Sequence, residues 1–180
     1  MRIEDGPMEG LKIIHPDVFG DSRGYFFEAF NESKLKEVGF DVYFKQDNIS
    51  KSVKNVLRGL HFQNPPFAQG KLVQVLQGSV MDVAVDIRKS STTYGQHFCI
   101  ELNDKNNLLF YIPPGFAHGF ITLEDDTLFS YKCTEVYTKN SEGSLIWNDP
   151  DLNIDWGVEH PIVSEKDLMA PNFSSFKSNF

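Results

Sequence analysis

The segment KLVQVLQGSVMDVAVDIR, Lys71 to Arg88, decides the fold. In its first half Lys71, Val73 and Val75 share one side of an extended chain. In its second half Met81, Val83, Val85 and Ile87 alternate with Asp82, Ala84 and Asp86. Apolar residues at every second position argue for strands, because a helix would return them every three or four. Gly78-Ser79, between the halves, reads as a tight hairpin.

The same pattern repeats outward in both directions. Candidate strands precede it at 11–14 (LKII), 25–30 (YFFEAF), 41–46 (DVYFKQ) and 56–63 (VLRGLHFQ), the last with a polar loop on either side. Others follow at 97–102 (HFCIEL), 108–112 (LLFYI), 118–123 (HGFITL), 128–133 (LFSYKC) and 144–147 (SLIW). NESKLKEV (31–38) is the one clear helix of the first half, with Asn31 as its cap. From Asp149 onward the chain reads as irregular, with a helical turn at SEKDL (164–168). No repeat, low-complexity tract or long linker divides residues 1–180, so a single domain is expected. Many short strands with little helix predict an all-β, double-sheet jelly roll whose interior can hold a small ligand.

Composition narrows the classes. The 180 residues are 41% hydrophobic and 23% charged, ordinary for a globular protein. A net charge of −8 argues against nucleic acid and anionic membrane surfaces as partners, yet leaves room for a locally basic pocket. No apolar run approaches the ~20 residues of a membrane helix. MRIEDGPMEG lacks the apolar core of a signal peptide, so a cytoplasmic protein is expected. Cys99 and Cys133 sit in strand-like runs and read as buried free thiols. The 16 Phe and 6 Tyr suit a barrel interior or a ring-stacking pocket equally well.

The stretch from Gln46 to Lys71 carries the candidate chemistry. Arg58, His61 and Lys71 form a kit for proton abstraction beside a carbonyl. His takes a proton near neutral pH, Lys stabilises the resulting oxyanion, and Arg grips an anionic handle. The competing reading is a strand histidine between two solvated cations. Strict alternation sends Arg58 and His61 to opposite faces, so the joint site requires a bulge at Gly59. Asp82 and Asp86 either flank Lys71 or line a wet face. Tyr131 is either a pocket phenol or core packing beside Phe129 and Cys133.

Residues 113–118, PPGFAH, fit the P-x-G-x-x-H pattern of the second cupin motif. Metal-binding cupins add an H-x-H pair and a glutamate from a first motif. Here that position reads His61-Phe62-Gln63, so a ligand imidazole is missing and no metal is expected.

Taken in order, FGDSRGYFFE, QDNISKS, NVLRGLHFQ, AQGKLVQV, DVAVDIR, PPGFAHGF, YKCTEVY, SEGSLIWND and SEKDLMAP resemble the dTDP-4-dehydrorhamnose 3,5-epimerase family, from about Phe19 to Pro171. The resemblance implies a cupin-type jelly roll that inverts C3 and C5 of dTDP-4-dehydro-6-deoxy-D-glucose without metal or organic cofactor. It implies His61 as base, Asp167 as its carboxylate partner, Lys71 beside the C4 enolate and Tyr131 as proton donor. Arg23, Glu28, Gln46, Asn48, Arg58, His118, Glu142 and Lys166 would hold the dTDP-sugar, and Tyr137 would stack on thymine. It further implies a homodimer with exchanged N-terminal strands. Two alternatives share these motifs: a single-site epimerase of another dTDP-deoxysugar pathway, and a non-catalytic sugar-nucleotide-binding cupin. A metal-dependent cupin is a third, against which the missing H-x-H counts.

Overall fold

Period-two alternation becomes two stacked sheets. The computed structural model describes residues 1–180. Strands β1 (Arg2–Asp5), β2 (Lys12–His15), β3 (Phe19–Asp21) and β4 (Gly24–Phe26) precede helix α1 (Glu32–Glu37). Next come β5 (Gln46–Ser52), β6 (Val56–Gln63), β7 (Lys71–Gln77) and β8 (Ser79–Asp86). They are followed by β9 (His97–Asn103), β10 (Leu109–Ile112), β11 (Phe116–Thr122) and β12 (Thr127–Cys133). The last elements are β13 (Glu142–Ser144), β14 (Ile162–Val163) and α2 (Glu165–Leu168). One sheet has the order β1-β2-β10-β7-β12-β5, and the other β13-β6-β11-β8-β9 with β14 also on β6. The hairpin β3–β4 joins neither. This is the expected all-β, cupin-type jelly roll with two short helices. No helix is long and apolar enough to cross a membrane.

Side chains from both inner faces fill the space between the sheets. Val73, Phe110 and Phe129 of the first meet Ala84, Leu102 and Phe120 of the second. The outer faces are covered too. Leu35 of α1 and the nearby Phe40 close over Ile14 and Leu72 on the first sheet. On the second, Leu152 and Trp156 of the C-terminal tail pack on the face bearing Leu57, Val83 and Ile121.

Three sequence expectations need correction. β7 and β8 do not form a hairpin: β7 pairs with β10 and β12, whereas β8 pairs with β9 and β11. Gly78, with φ +83°, carries the chain from one sheet to the other, and a Cβ there would lie 2.5 Å from Thr127 Oγ1. Alternation identifies strands, but partners depend on which apolar faces must meet. Second, the polar stretch QDNISKS is strand β5, paired along its length with β12. Its alternation is present, but the inward positions Gln46, Asn48, Ser50 and Ser52 are polar because they face a cavity or its wall. Third, 41–45 is not a strand, 25–30 is one only as far as Phe26, and of 144–147 only Ser144 belongs to a strand. Phe40 and Phe44 pack edge-on against Tyr111, so these aromatics cover a sheet from a loop. Helix α1 follows expectation, with the Asn31 side chain accepting from the Lys34 N–H.

Candidate active site

Strand β6 carries the irregularity the joint site requires. Opposite β11, His61 pairs with His118 while Arg58 pairs with Phe120, so three steps on one strand face two on the other. The extra residue bends β6 and turns Arg58 and His61 toward one cavity. Only glycine fits here. Gly59 has φ +144°, and a Cβ on it would stand 2.5 Å from the Gly119 Cα.

The C-terminal tail completes the site. β13 pairs with β6 over His61–Gln63 and β14 runs parallel to Val56 and Leu57, so the two leave the bulge between them. α2 follows β14 directly and delivers Asp167. Ser164 caps this turn, its Oγ accepting from the Asp167 N–H at 3.2 Å. His61 Nε2 lies 2.6 Å from Asp167 Oδ1. Lys71 Nζ donates to the His61 carbonyl at 3.2 Å.

His61, Asp167, Lys71 and Tyr131 line a cavity of ≈520 Å³ together with Arg58, His118 and Lys166. A second lobe of ≈320 Å³ shares His61, Lys71 and Tyr131 and adds Gln46, Asn48, Tyr137 and Glu142. Tyr131 is therefore a wall residue of both lobes, although its ring also touches the core. Glu142 accepts from the Tyr137 hydroxyl at 3.2 Å and pairs with Lys166 across the mouth. Arg58 donates to Ser52 Oγ at 3.1 Å.

Arg23 and Glu28 are not brought to this cavity within the chain. Arg23, its side chain 88% exposed, pairs with Asp21 in the β3–β4 hairpin. Glu28 accepts from Asn31 at 2.9 Å and pairs with Lys34.

The remaining polar residues were not legible from motifs. Gln63, where a second ligand imidazole would stand, donates to Phe67 O at 2.7 Å and accepts from the Thr138 N–H at 2.6 Å. It thereby ties down the loop that carries Tyr137. No three His, Cys, Asp or Glu side chains are grouped closely enough to hold a metal ion. Asp82 and Asp86 do not line a wet face, for both are fully buried. Asp86 is held by Arg88, Ser91 and Thr93, and Asp82 by His118.

Burial sets the electrostatics. It pushes the Lys71 ammonium below the ordinary lysine range and the Tyr131 phenol above the ordinary tyrosine range. Burial also raises Asp167, but the His61 hydrogen bond and charge, with support from Ser164 and the Gly59 N–H, bring it below the usual carboxylate value. For His118, burial outweighs the nearby Asp82 and lowers the ring. The arrangement is thus an imidazole–carboxylate pair, a half-buried lysine and a half-buried tyrosine around one cavity.

Fold and cavity together define a cupin-type jelly-roll protein with an acid–base pocket. The sequence profile of dTDP-4-dehydrorhamnose 3,5-epimerase matches residues 5–175. The chain is 51% identical over 163 residues to the dTDP-4-dehydrorhamnose 3,5-epimerase of Methanothermobacter thermautotrophicus, covering 89% of this chain and 88% of that one. Its fold is similar to dTDP-6-deoxy-D-glucose-3,5-epimerase from Legionella pneumophila, solved with dTDP-4-keto-L-rhamnose (TM-score 0.92, 45% identity, 98% and 94% coverage). It is also similar to a 3'-monoepimerase from Streptomyces bikiniensis solved with dTDP-quinovose (TM-score 0.89, 30% identity, 97% and 88% coverage). This chain belongs to the dTDP-4-dehydrorhamnose 3,5-epimerase family.

Proposed function

We propose that the protein inverts C3 and C5 of dTDP-4-dehydro-6-deoxy-D-glucose to give dTDP-4-dehydro-L-rhamnose. The observation that carries this is the His61–Asp167 pair facing Lys71 and Tyr131 in one cavity. Hydrogen bonding of Nε2–H to Asp167 leaves Nδ1 of His61 as the free lone pair. That nitrogen takes the proton from C3 or C5, and the electron pair moves onto the C4 oxygen. Cationic Lys71 faces the developing oxyanion, an interaction worth ~3–4 kcal/mol for a well-placed donor. Tyr131 returns a proton to carbon from the opposite face, which completes inversion. Asp167 stabilises the imidazolium between the two transfers. The second lobe takes the nucleotide, with Tyr137 against thymine, and Arg58 and Lys166 offset phosphate charge.

The reading includes a homodimer. β1 pairs with β2, and β2 with this chain's own β10, so the exchanged N-terminal element is the β3–β4 hairpin, with exposed Phe19, Tyr25 and Phe26. It would carry Arg23 and Glu28 into the partner's site. Mixing Arg23→Ala with His61→Asn subunits should then recover activity that neither has alone; no recovery would remove the exchange. Two free thiols agree with a cytoplasmic enzyme.

Incubation with the keto sugar nucleotide in deuterated water tests the activity. Label at both C3 and C5 with L-configured product is expected. Label at one carbon alone would make the chain a single-site epimerase, and no label would leave it a binding protein.

A further inference from the structure

Asp82 faces inward from β8, and both hydrogen bonds of its carboxylate go to His118 on β11, at 2.9 and 3.1 Å. The carboxylate is fully buried and the ring is 7% exposed. A carboxylate so placed is costly unless a positive charge answers it. His118 does not supply that charge, since burial keeps its ring neutral near neutral pH. Among the cations that line the cavity, Lys71 is the one on which the Asp82 charge acts.

Three titratable neighbours act on Lys71 from the elements packed around it, beyond His61, His118 and Tyr131 of the cavity itself. Cys133 sits opposite it on β12, and burial raises that thiol, so it is uncharged. Glu142 on β13 is charged but already paired with Lys166 and hydrogen-bonded by Tyr137. Asp82 is the one carboxylate near Lys71 with no cation of its own.

We propose that Asp82 is a positioning residue for epimerisation: its charge keeps Lys71 protonated, and its hydrogen bonds lock His118 as the Nε2–H tautomer with Nδ1 free to accept from a substrate hydroxyl. The proposal rests on the reading of Lys71 as the group that stabilises the enolate. An amine buried in the cavity wall tends to lose its proton, and a neutral amine cannot hold an oxyanion. A fixed carboxylate behind it counters that tendency. The bonds to both carboxylate oxygens also fix the ring's orientation, because the carboxylate accepts only and must meet an N–H.

Asp82→Asn tests the charge while keeping an oxygen that accepts from His118. With labelled lysine, and Lys71→Arg to assign the signal, the Lys71 titration midpoint should fall by about one pH unit in the variant. The alkaline limb of kcat should move down with it, whereas a residue that only supported the fold would lower kcat at every pH alike. An unchanged Lys71 midpoint in a folded Asp82→Asn protein would overturn the proposal. If that variant does not fold, wild-type protein with labelled histidine still decides. A His118 ring protonated on Nδ1 at neutral pH would overturn it, and one protonated on Nε2 alone supports it. Lys71→Met reports separately on the underlying reading: wild-type kcat in that variant removes the lysine from the mechanism, whatever Asp82 does to its titration.

Discussion

Two His–Asp pairs wall the cavity, and they differ in what delivers the carboxylate and in how much solvent reaches the ring. Asp82 and His118 come from adjacent strands of one sheet and are sealed inside it. Asp167 arrives on a turn of the C-terminal tail and meets a His61 ring that is 32% exposed. The chemical groups are the same, but the settings differ. A sealed ring cannot readily gain a proton, because the charged form would be stranded away from water. It is suited to a fixed dipole. The His61 ring faces the cavity with a carboxylate behind it and keeps the solvent access that the sealed ring lacks. Environment gives the two pairs different settings even when the residue types match, and the roles proposed for them follow that difference.

The strongest way to break this contrast is to remove each ring in turn. His61→Asn should lower deuterium exchange at both sugar carbons by up to roughly 10⁴-fold. His118→Asn loses a neutral substrate contact worth about 1 kcal/mol, and the cost of leaving buried Asp82 short of a donor should appear as lost stability, so exchange by the folded protein should stay within roughly tenfold of wild type. Equal losses in the two variants would erase the distinction. Tyr131→Phe comes next. Exchange through His61 should persist while inverted product falls by roughly 10²-fold, because the proton returning from the opposite face has lost its source. Wild-type yields of L-configured sugar would take Tyr131 out of the donor role.

A smaller effect tests how the two pairs are brought together. Gly59→Ala places a Cβ at 2.5 Å from Gly119 Cα in a backbone region that disfavours it. A loss of roughly 3 kcal/mol in unfolding free energy is expected, read by denaturant titration. A neutral result would show that the bulge tolerates a side chain and is not what aims His61.

The smallest effect uses a third buried carboxylate, whose partner is a guanidinium. Asp86 is bonded to Arg88, Ser91 and Thr93. Burial alone would raise it, but these donors lower it from 3.8 to about 2. The folded state therefore binds this proton less readily than the unfolded one. Its stabilisation is complete above the unfolded value and disappears as pH falls through the folded one. On the order of 2 kcal/mol should be lost between about pH 4 and pH 2. In Asp86→Asn that part of the acid dependence should be absent; an identical acid limb in both proteins would reassign it.

Much of this was legible from residues alone, and the boundary is physical. VLRGLHFQ announces a strand, and the glycine inside it marks where regular pairing can break. SEKDL announces a capped turn, because Ser164 stands three residues before Asp167. β5 stayed hidden, since hydrophobic periodicity registers only strands whose buried face is apolar, and its buried face looks into the cavity. Asp82 and Asp86 were legible as a shared face, but not as a buried one. Nothing local reveals that the opposite face of β8 is covered by a tail more than 60 residues away.

By itself, then, the order of residues determined the period-two pattern, the place of the bulge, the helix caps and the set of ionisable groups, because each follows from local sterics and side-chain chemistry. Tertiary structure alone decided that Lys71 and Ser79 begin strands of different sheets. It also decided that Asp167 meets His61 across 106 positions of chain, and that one His–Asp pair is sealed while the other opens to the cavity. Those outcomes depend on which apolar faces cover one another, a condition satisfied only by the whole chain at once.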